Sequence, residues 1–290
     1  MRVLVTGAAG FIGQYLVRKL SQQNEVLAAY RSSPGGPAPG VEWVQLDLGS
    51  SEFRSRLPRN LDGIIHLAQS ANYRDFPVGA PDVFNVNVAA TARLVEHAVE
   101  AGAKAFVLAS SGSVYAPSNR PIEESGPKVV CDLYGTSKLA AEILCGPYMS
   151  ELSVSTLRLF FPYGPQQQGR LIPTLIERVL TGRPVTLSGP SGGMRFNPMH
   201  VDDVVRVFVA ALTEGWSEVL NVGAEQTLTV REAALIIAKR LGRRVSFDLI
   251  GETEPLALVP DLTRLRARLD TSHFRSFNDG IESVLTAVER

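Results

Sequence analysis

The chain opens on Val3-Leu4-Val5-Thr6, breaks on Gly7-Ala8-Ala9-Gly10-Phe11-Ile12-Gly13 and resumes as an apolar helical pattern from Tyr15 to Leu20. Few architectures accept a short buried strand that ends on glycines and restarts as a helix. The glycines permit a tight turn and close backbone approach, and the new helix begins with N–H groups that lack partners within it. Those groups, at the positive end of the helix dipole, form a place for a pyrophosphate. A plain strand-to-helix turn uses the same glycines, so the reading depends on the rest of the chain.

The rest repeats the theme. Strand patterns at Val26 to Tyr30, Trp43 to Leu46, Gly63 to Leu67 and Ala105 to Ala109 alternate with helical patterns, among them one long helix predicted from Pro81 to Ala101. Such alternation predicts an α/β fold with a doubly wound parallel sheet and helices on both faces. Pro34-Gly35-Gly36-Pro37-Ala38-Pro39-Gly40 can form neither helix nor interior strand and reads as a surface loop. After Arg158 the prolines at 162, 165, 173, 184, 190 and 198 cut the chain into short pieces. Residues 1–160 are therefore read as the sheet domain, which also receives part of the later chain, and residues 161–290 as mainly a smaller C-terminal α/β lobe. In that lobe helices are predicted at Leu171 to Leu180, Val204 to Leu212, Val230 to Leu241 and Ile281 to Val288. A ligand is expected beyond the carboxyl ends of the strands, in a cleft between the two parts.

Charge narrows the partners. Lys and Arg number 29 and Asp and Glu 29, a balance that argues against a nucleic-acid-binding role. No apolar run approaches the roughly 18 residues of a membrane span. The opening apolar run is too short for a secretory leader. Cys131 and Cys145 are too few for a disulfide framework, and four scattered histidines, His66, His97, His200 and His273, make no metal site. A reducing, cytoplasmic setting is the default, with Cys131 an unreactive thiol near the cleft.

Chemistry enters with Tyr134-Gly135-Thr136-Ser137-Lys138. A tyrosine and a lysine four apart share a helix face. The ammonium favours the phenolate and draws the tyrosine down from about 10, which makes Tyr134 a candidate acid and base. Upstream, the strand ending in Ser110-Ser111-Gly112-Ser113 offers hydroxyls to a reacting oxygen. After the second strand, Tyr30-Arg31-Ser32-Ser33 stands where dinucleotide folds carry an acid for the ribose. Arg31 can pair with a 2′-phosphate, helped by Ser32, which favours NADP(H); it can equally be a surface arginine beside a loop. Asp47-Leu48 either holds the adenine amino group or provides a cap for the next helical turn.

In this order, Thr6 to Gly13, His66-Leu67-Ala68, Ser110 to Tyr115, Tyr134 to Lys138, Tyr163-Gly164-Pro165, and Arg195 with His200 to Val204 resemble the extended short-chain dehydrogenase/reductase family. The closer resemblance is to its NAD(P)-dependent nucleotide-sugar epimerase/dehydratase branch. It implies a Rossmann-type sheet domain and a C-terminal substrate lobe. It also implies a triad of Ser111, Tyr134 and Lys138, in which Lys138 holds the nicotinamide ribose. The cofactor contacts implied are Gly7, Gly10, Phe11, Ile12, Gly13, Arg31, Ser32, Asp47, Leu48, Leu67, Ala68, Tyr134 and Lys138. Substrate contacts would come from Ser111, Ser113 and Arg195, the last clamping a diphosphate. Asn87 matches a structural asparagine, with a helix-local hydrogen bond expected. A homodimer through the Tyr134 helix and the helix from Pro81 is implied as well. Asp202 and Asp203 are expected to cap the helix that follows them.

Departures from the branch are informative. Gly112 and Ser113 stand where its dehydratases carry Asp-Glu, and its decarboxylases keep a glutamate at the place of Ser113. Neither water loss nor decarboxylation is therefore expected. Phe161 replaces an asparagine that contacts substrate phosphates in relatives. Gln69 replaces a small residue and either touches the nicotinamide or substrate or faces solvent. The expected activity is epimerisation of a nucleotide sugar through a keto intermediate, at C4. An NADPH-dependent 4-keto-sugar reductase using the same residues is the alternative, and a non-catalytic NADP sensor or scaffold the third reading.

Overall fold

Strand β1 (Arg2–Thr6), helix α1 (Phe11–Leu20), β2 (Glu25–Tyr30), β3 (Val41–Gln45), β4 (Gly63–His66), α2 (Ala80–Val83), α3 (Ala90–Glu100), β5 (Ala105–Ser111), α4 (Leu133–Cys145) and β6 (Ser153–Leu159) follow one another in the first part of the chain. The second part holds β7 (Pro162–Tyr163), α5 (Leu171–Thr181), β8 (Val185–Ser188), β9 (Arg195–Phe196), β10 (Met199–His200), α6 (Val201–Glu214), β11 (Val219–Val222), β12 (Leu228–Thr229), α7 (Val230–Arg240), β13 (Phe247–Ile250), α8 (Thr263–Arg266) and α9 (Phe277–Val288). This computed structural model describes residues 1–130, 132–253 and 255–288, so the reading of Cys131 lies outside the described residues. Two compact units result. One comprises Met1–Ala116, Pro127–Leu159 and Val205–Leu220; the other Pro117–Gly126, Phe160–Val204 and the chain from Asn221 on.

Seven strands form one sheet in the order β11-β6-β5-β4-β1-β2-β3. The registered pairs from β3 across to β6 are all parallel. Chain order reverses direction between β1 and β4, which is where an open α/β sheet leaves a crevice at its carboxyl edge. Helix α3 closes one face through Leu94 and Val95 against Leu4, Ile64 and Phe106, all fully buried. Each such side chain contributes about 2–3 kcal/mol. In the second unit the strand pairs β7·β10, β8·β13 and β9·β12 surround Tyr163, Ile176, Phe196, Ile237 and Phe277.

Several elements differ from expectation. The predicted helix from Pro81 is broken by a π turn over Phe84–Ala89. Strand β6 carries Ser155, Thr156 and Arg158 fully inside, so its polar letters concealed an interior strand. The Ser155 hydroxyl donates to the Trp216 carbonyl at 2.5 Å, and the Thr156 N–H donates to the Glu218 carbonyl at 2.9 Å. Helix α6 begins at Val201, which places Asp202 and Asp203 within its first turn. The loop Pro34–Gly40 lies on Trp43, whose indole N–H donates to the Gly36 carbonyl at 3.3 Å. Among the described residues no helix is long and apolar enough to cross a membrane, and no cluster of three metal-ligating side chains occurs.

Candidate active site

Gly7 takes a left-handed φ of +69°, and a Cβ there would lie 2.7 Å from the Ala68 nitrogen. A Cβ on Gly13 would lie 2.2 Å from the Gly7 carbonyl oxygen. Only glycine lets the turn, the end of β4 and the start of α1 approach this closely. Leu67 and Ala68 follow β4 directly, with the Leu67 N–H on the Thr6 carbonyl at 3.1 Å. Gly10 is the exposed N-cap of α1, and no side chain caps the helix, so the N–H groups of its first turn, at Phe11, Ile12 and Gly13, can serve an anion. This cradle fits a dinucleotide pyrophosphate.

Arg31 and Ser32 follow β2 and are exposed. The Arg31 carbonyl accepts from the Gln45 amide at 3.1 Å, which fixes the backbone and leaves the guanidinium on the surface. Asp47 closes a turn by accepting from the Gly49 N–H at 3.0 Å, with Leu48 buried beside it. The cap of the next helical turn is Ser50, which accepts from the Glu52 N–H. Asp47 is therefore not the cap.

His66 is fully buried between two hydroxyls. Its Nδ1 lies 2.6 Å from Thr6 Oγ1 and its Nε2 3.0 Å from Thr91 Oγ1. Because the Thr91 hydroxyl donates to the Asn87 carbonyl at 2.7 Å, it accepts from Nε2–H, and Thr6 donates to Nδ1. The ring is neutral: burial, aided by the Lys138 charge, pushes its pKa down to about 3. Asn87 corrects an expectation, since its side chain makes no helix-local bond. Its Oδ1 accepts from the Ser70 N–H at 2.8 Å and its Nδ2 donates to Ser137 Oγ at 2.9 Å, tying the loop after β4 to α4.

Asp132 is the N-cap of helix α4, and its carboxylate accepts from the Gly135 N–H at 2.7 Å. Gly135 abuts the end of β5: a Cβ there would come within 2.4 Å of the Ser113 carbonyl oxygen. One turn further, Lys138 reaches back to β5 and donates to the Ala109 carbonyl at 3.0 Å, its ammonium 5.8 Å from the centre of the Tyr134 ring. Burial pulls the Lys138 pKa down to about 8, against the opposing Glu142 charge. Ser111 accepts from the Ser113 N–H at 3.1 Å and donates to the Ser113 hydroxyl at 3.2 Å, so both hydroxyls sit at the β5 terminus. The Tyr134 hydroxyl donates to Gln69 Oε1 at 3.1 Å, and its ring packs on Tyr73 with centroids 5.0 Å apart. The phenol, the ammonium and the Ser111 and Ser113 hydroxyls thus belong to one unit. Such an arrangement can bind a carbinol or carbonyl oxygen and exchange a proton with it.

Ser110, although adjacent, points to the other face and donates to Glu142. Glu142 accepts a bidentate guanidinium from Arg158, through Nε at 3.0 Å and Nη2 at 2.6 Å, and Arg158 also donates to the Tyr115 hydroxyl. All are buried. The sequence reading missed this cluster, although Glu142 lies four residues beyond Lys138 on the same helix face. Cys145 ends that face, and burial with the Glu142 charge pushes its thiol up to about 12.

Arg195 belongs to the second unit, exposed on β9. Next to it in space, Phe161 stacks on Phe196 with centroids 5.0 Å apart and holds a left-handed φ of +44°, a costly conformation for a bulky side chain. Asp202 and Asp203 serve the C-terminal segment: Asp203 accepts from the Arg275 N–H at 2.9 Å and Asp202 pairs with the Arg275 guanidinium at 2.8 Å.

Residues 3–223 match the NAD dependent epimerase/dehydratase family. The chain belongs to this family. It is 31% identical to the UDP-glucose 4-epimerase of Mycolicibacterium smegmatis over 295 residues, covering 95% of this chain and 91% of that one. A structure of MoeE5 in complex with UDP-glucuronic acid and NAD superposes with a TM-score of 0.87 at 31% identity, covering 100% and 99% of the two chains. The Thermus thermophilus UDP-glucose 4-epimerase in complex with NAD gives a TM-score of 0.85 at 28% identity, with the same coverage. The sheet described above is thus the Rossmann-type sheet of the NAD dependent epimerase/dehydratase family, and the chain is an NAD(P)-dependent enzyme of that family.

Proposed function

We propose that this enzyme is a nucleotide-sugar 4-epimerase, acting on UDP-sugars, in which Ser111, Tyr134 and Lys138 perform the chemistry. The observation that carries the reading is the placement of Tyr134 and Lys138 on α4 against the Ser111 end of β5, with the Lys138 ammonium beneath the Tyr134 ring. Tyr134, as phenolate, takes the proton of the sugar hydroxyl, and Ser111 donates a hydrogen bond to the same oxygen. Bound NAD(P) would supply the hydride chemistry, as acceptor of the hydride from that carbon and as its donor to the opposite face. Tyr134 then returns its proton to the keto oxygen, so the enzyme ends the cycle unchanged. Lys138 would hold the cofactor ribose, and it favours the phenolate by charge. Ser113, Gly112 and the β5 end offer no carboxylate for water loss or decarboxylation. Arg195 serves the substrate diphosphate with a guanidinium fork.

The second reading, an NADPH-dependent keto-sugar reductase, is favoured by one feature: Arg31 is exposed at the end of β2, with no acid in the ribose position. Incubation with UDP-glucose or UDP-glucuronic acid and NAD⁺ is expected to give the C4 epimer by nuclear magnetic resonance. Failure with both sugars, together with an NADPH preference that Arg31→Ala lowers by about 10- to 100-fold, would replace the epimerase by the reductase. We further infer a homodimer, supported by exposed apolar side chains on the outer faces of α3 and α4, and a cytoplasmic location, supported by the cysteine usage.

A further inference from the structure

We propose that Gln69 is the proton-state partner of Tyr134: its amide accepts from the neutral phenol and, turned over, donates to the phenolate, so that one side chain holds the hydroxyl in place through both halves of the proton transfer. The inference rests on the reading of Tyr134 as the acid and base. The Tyr134 hydroxyl donates to Gln69 Oε1 at 3.1 Å. An amide carries acceptor and donor at its two ends, so rotation about its last bond replaces C=O with N–H at the same place. A carboxylate or a lysine there could serve only one state.

The contact is built from both sides. Ser70, next in the chain to Gln69, donates its N–H to Asn87 Oδ1 at 2.8 Å; Asn87 Nδ2 donates to Ser137 Oγ at 2.9 Å; and Ser137 Oγ donates to the Tyr134 carbonyl at 2.8 Å. Gln69, Ser70, Asn87, Ser137 and Tyr134 therefore close a ring in which the loop after β4 and the start of α4 cannot drift apart. Asn87 can span them because it sits in the π turn Phe84–Ala89, with Thr91 four residues on bound to His66. π turns of this kind recur at functional sites. Among the described residues, the titratable groups near Tyr134 include Lys138 and the N-cap Asp132 on its own helix and Tyr73 from the loop after β4, with the Arg74 guanidinium 5.2 Å from the Tyr73 ring; the β5 end contributes the Ser111 and Ser113 hydroxyls. No proton passes to Gln69 at any stage: the substrate O–H proton goes to Tyr134 and comes back.

The sign of one titration decides. Hydrogen bonds to a charged oxygen are about twice as strong as neutral ones, so an amide that serves both states favours the phenolate on balance. Tyrosinate absorbance of the full chain is titrated with pH, and Tyr134→Phe is subtracted to isolate the Tyr134 signal. Gln69→Leu is expected to raise the midpoint by about one unit, and Gln69→Glu by more, because a carboxylate repels the phenolate. In turnover, Gln69→Leu is expected to move the acid limb of kcat upward with little change in KM. An unchanged or lowered midpoint in Gln69→Leu, or a change confined to KM, overturns the inference. Circular dichroism checks that both variants fold. If the midpoint shifts as expected while no nucleotide sugar is oxidised, the inference stands and the proposed substrate falls; turnover without a shift gives the reverse result.

Discussion

Lys138 is 4% exposed, and a charge so placed costs the fold. Its folded-state pKa of about 8 lies below the ordinary 10.5, so between these values the unfolded chain binds more protons than the native one. Stability therefore rises with pH through that window, and below it the cost is present in full. Lys138→Met is expected to abolish turnover and yet to melt higher than the wild type at pH 7. The gain is on the order of 2 kcal/mol after the lost Ala109 hydrogen bond is counted, and it shrinks as pH approaches 10.5. Paired thermal melts across that range check it; a Lys138→Met protein less stable at pH 7 would show that the ammonium is fully compensated in place. Tyr134 and Lys138 were legible in the sequence because a spacing of four on a helix dictates their proximity. Gln69 and Asn87 stood out in the sequence, but their pairings with Tyr134 and Ser137 did not, because these partners lie 65 and 50 residues away. Ser110 misled because neighbouring residues on a strand face opposite ways, so of two adjacent hydroxyls only Ser111 stands with Ser113.

Helix α4 has to hold Tyr134 against β5, and the Glu142–Arg158 pair fixes its other end. Arg158 stands opposite Ser110 in the β5·β6 register, so Ser110, Glu142 and Arg158 join both strands to the helix. Removing one partner of a buried ion pair strands the other charge, whereas removing both leaves an apolar site. Glu142→Leu and Arg158→Met are each expected to cost about 3–5 kcal/mol, and the double variant less than the sum. Denaturant titrations of the four proteins measure this; additive costs would mean that the two side chains act independently. The alternation of strands and helices made the sheet legible in advance. What escaped was β6, whose buried Ser155 and Arg158 are satisfied by Trp216 and Glu142, distant in the chain, and the π turn, which leaves no mark on an apolar periodicity. The start of α6 was misplaced for a similar reason: Asp202 and Asp203 read as caps by position, while their side chains are engaged by Arg275.

At the scale of the whole molecule the question is what covers the outer faces of α3 and α4, which pack side by side. Phe84, in the π turn before α3, is 59% exposed and Val99 on α3 38%; Ile143 is 67% exposed and Leu144 38% on α4. Apolar side chains gathered on two adjacent helices are more than the scattered exposure normal for a surface. The inner sides of the same helices carry the buried Asn87, Thr91, Ser137 and Lys138, so whatever covers the outer faces also braces the helix that carries Tyr134. A second copy of the chain, offering the same face, would satisfy both helices at once through an isologous interface. Burying Phe84 and Ile143 removes the exposure of two large side chains, about 1.5–3 kcal/mol each per subunit. Glutamate at both positions would replace that gain with four like charges across the two-fold axis. The wild type is therefore expected to sediment as a dimer and Phe84→Glu/Ile143→Glu as a folded monomer with a lower melting temperature. A monomeric wild type, or a double variant that stays dimeric, would show that this face serves another purpose, and the bracing of α4 would then rest on Asn87 and the Glu142–Arg158 pair alone.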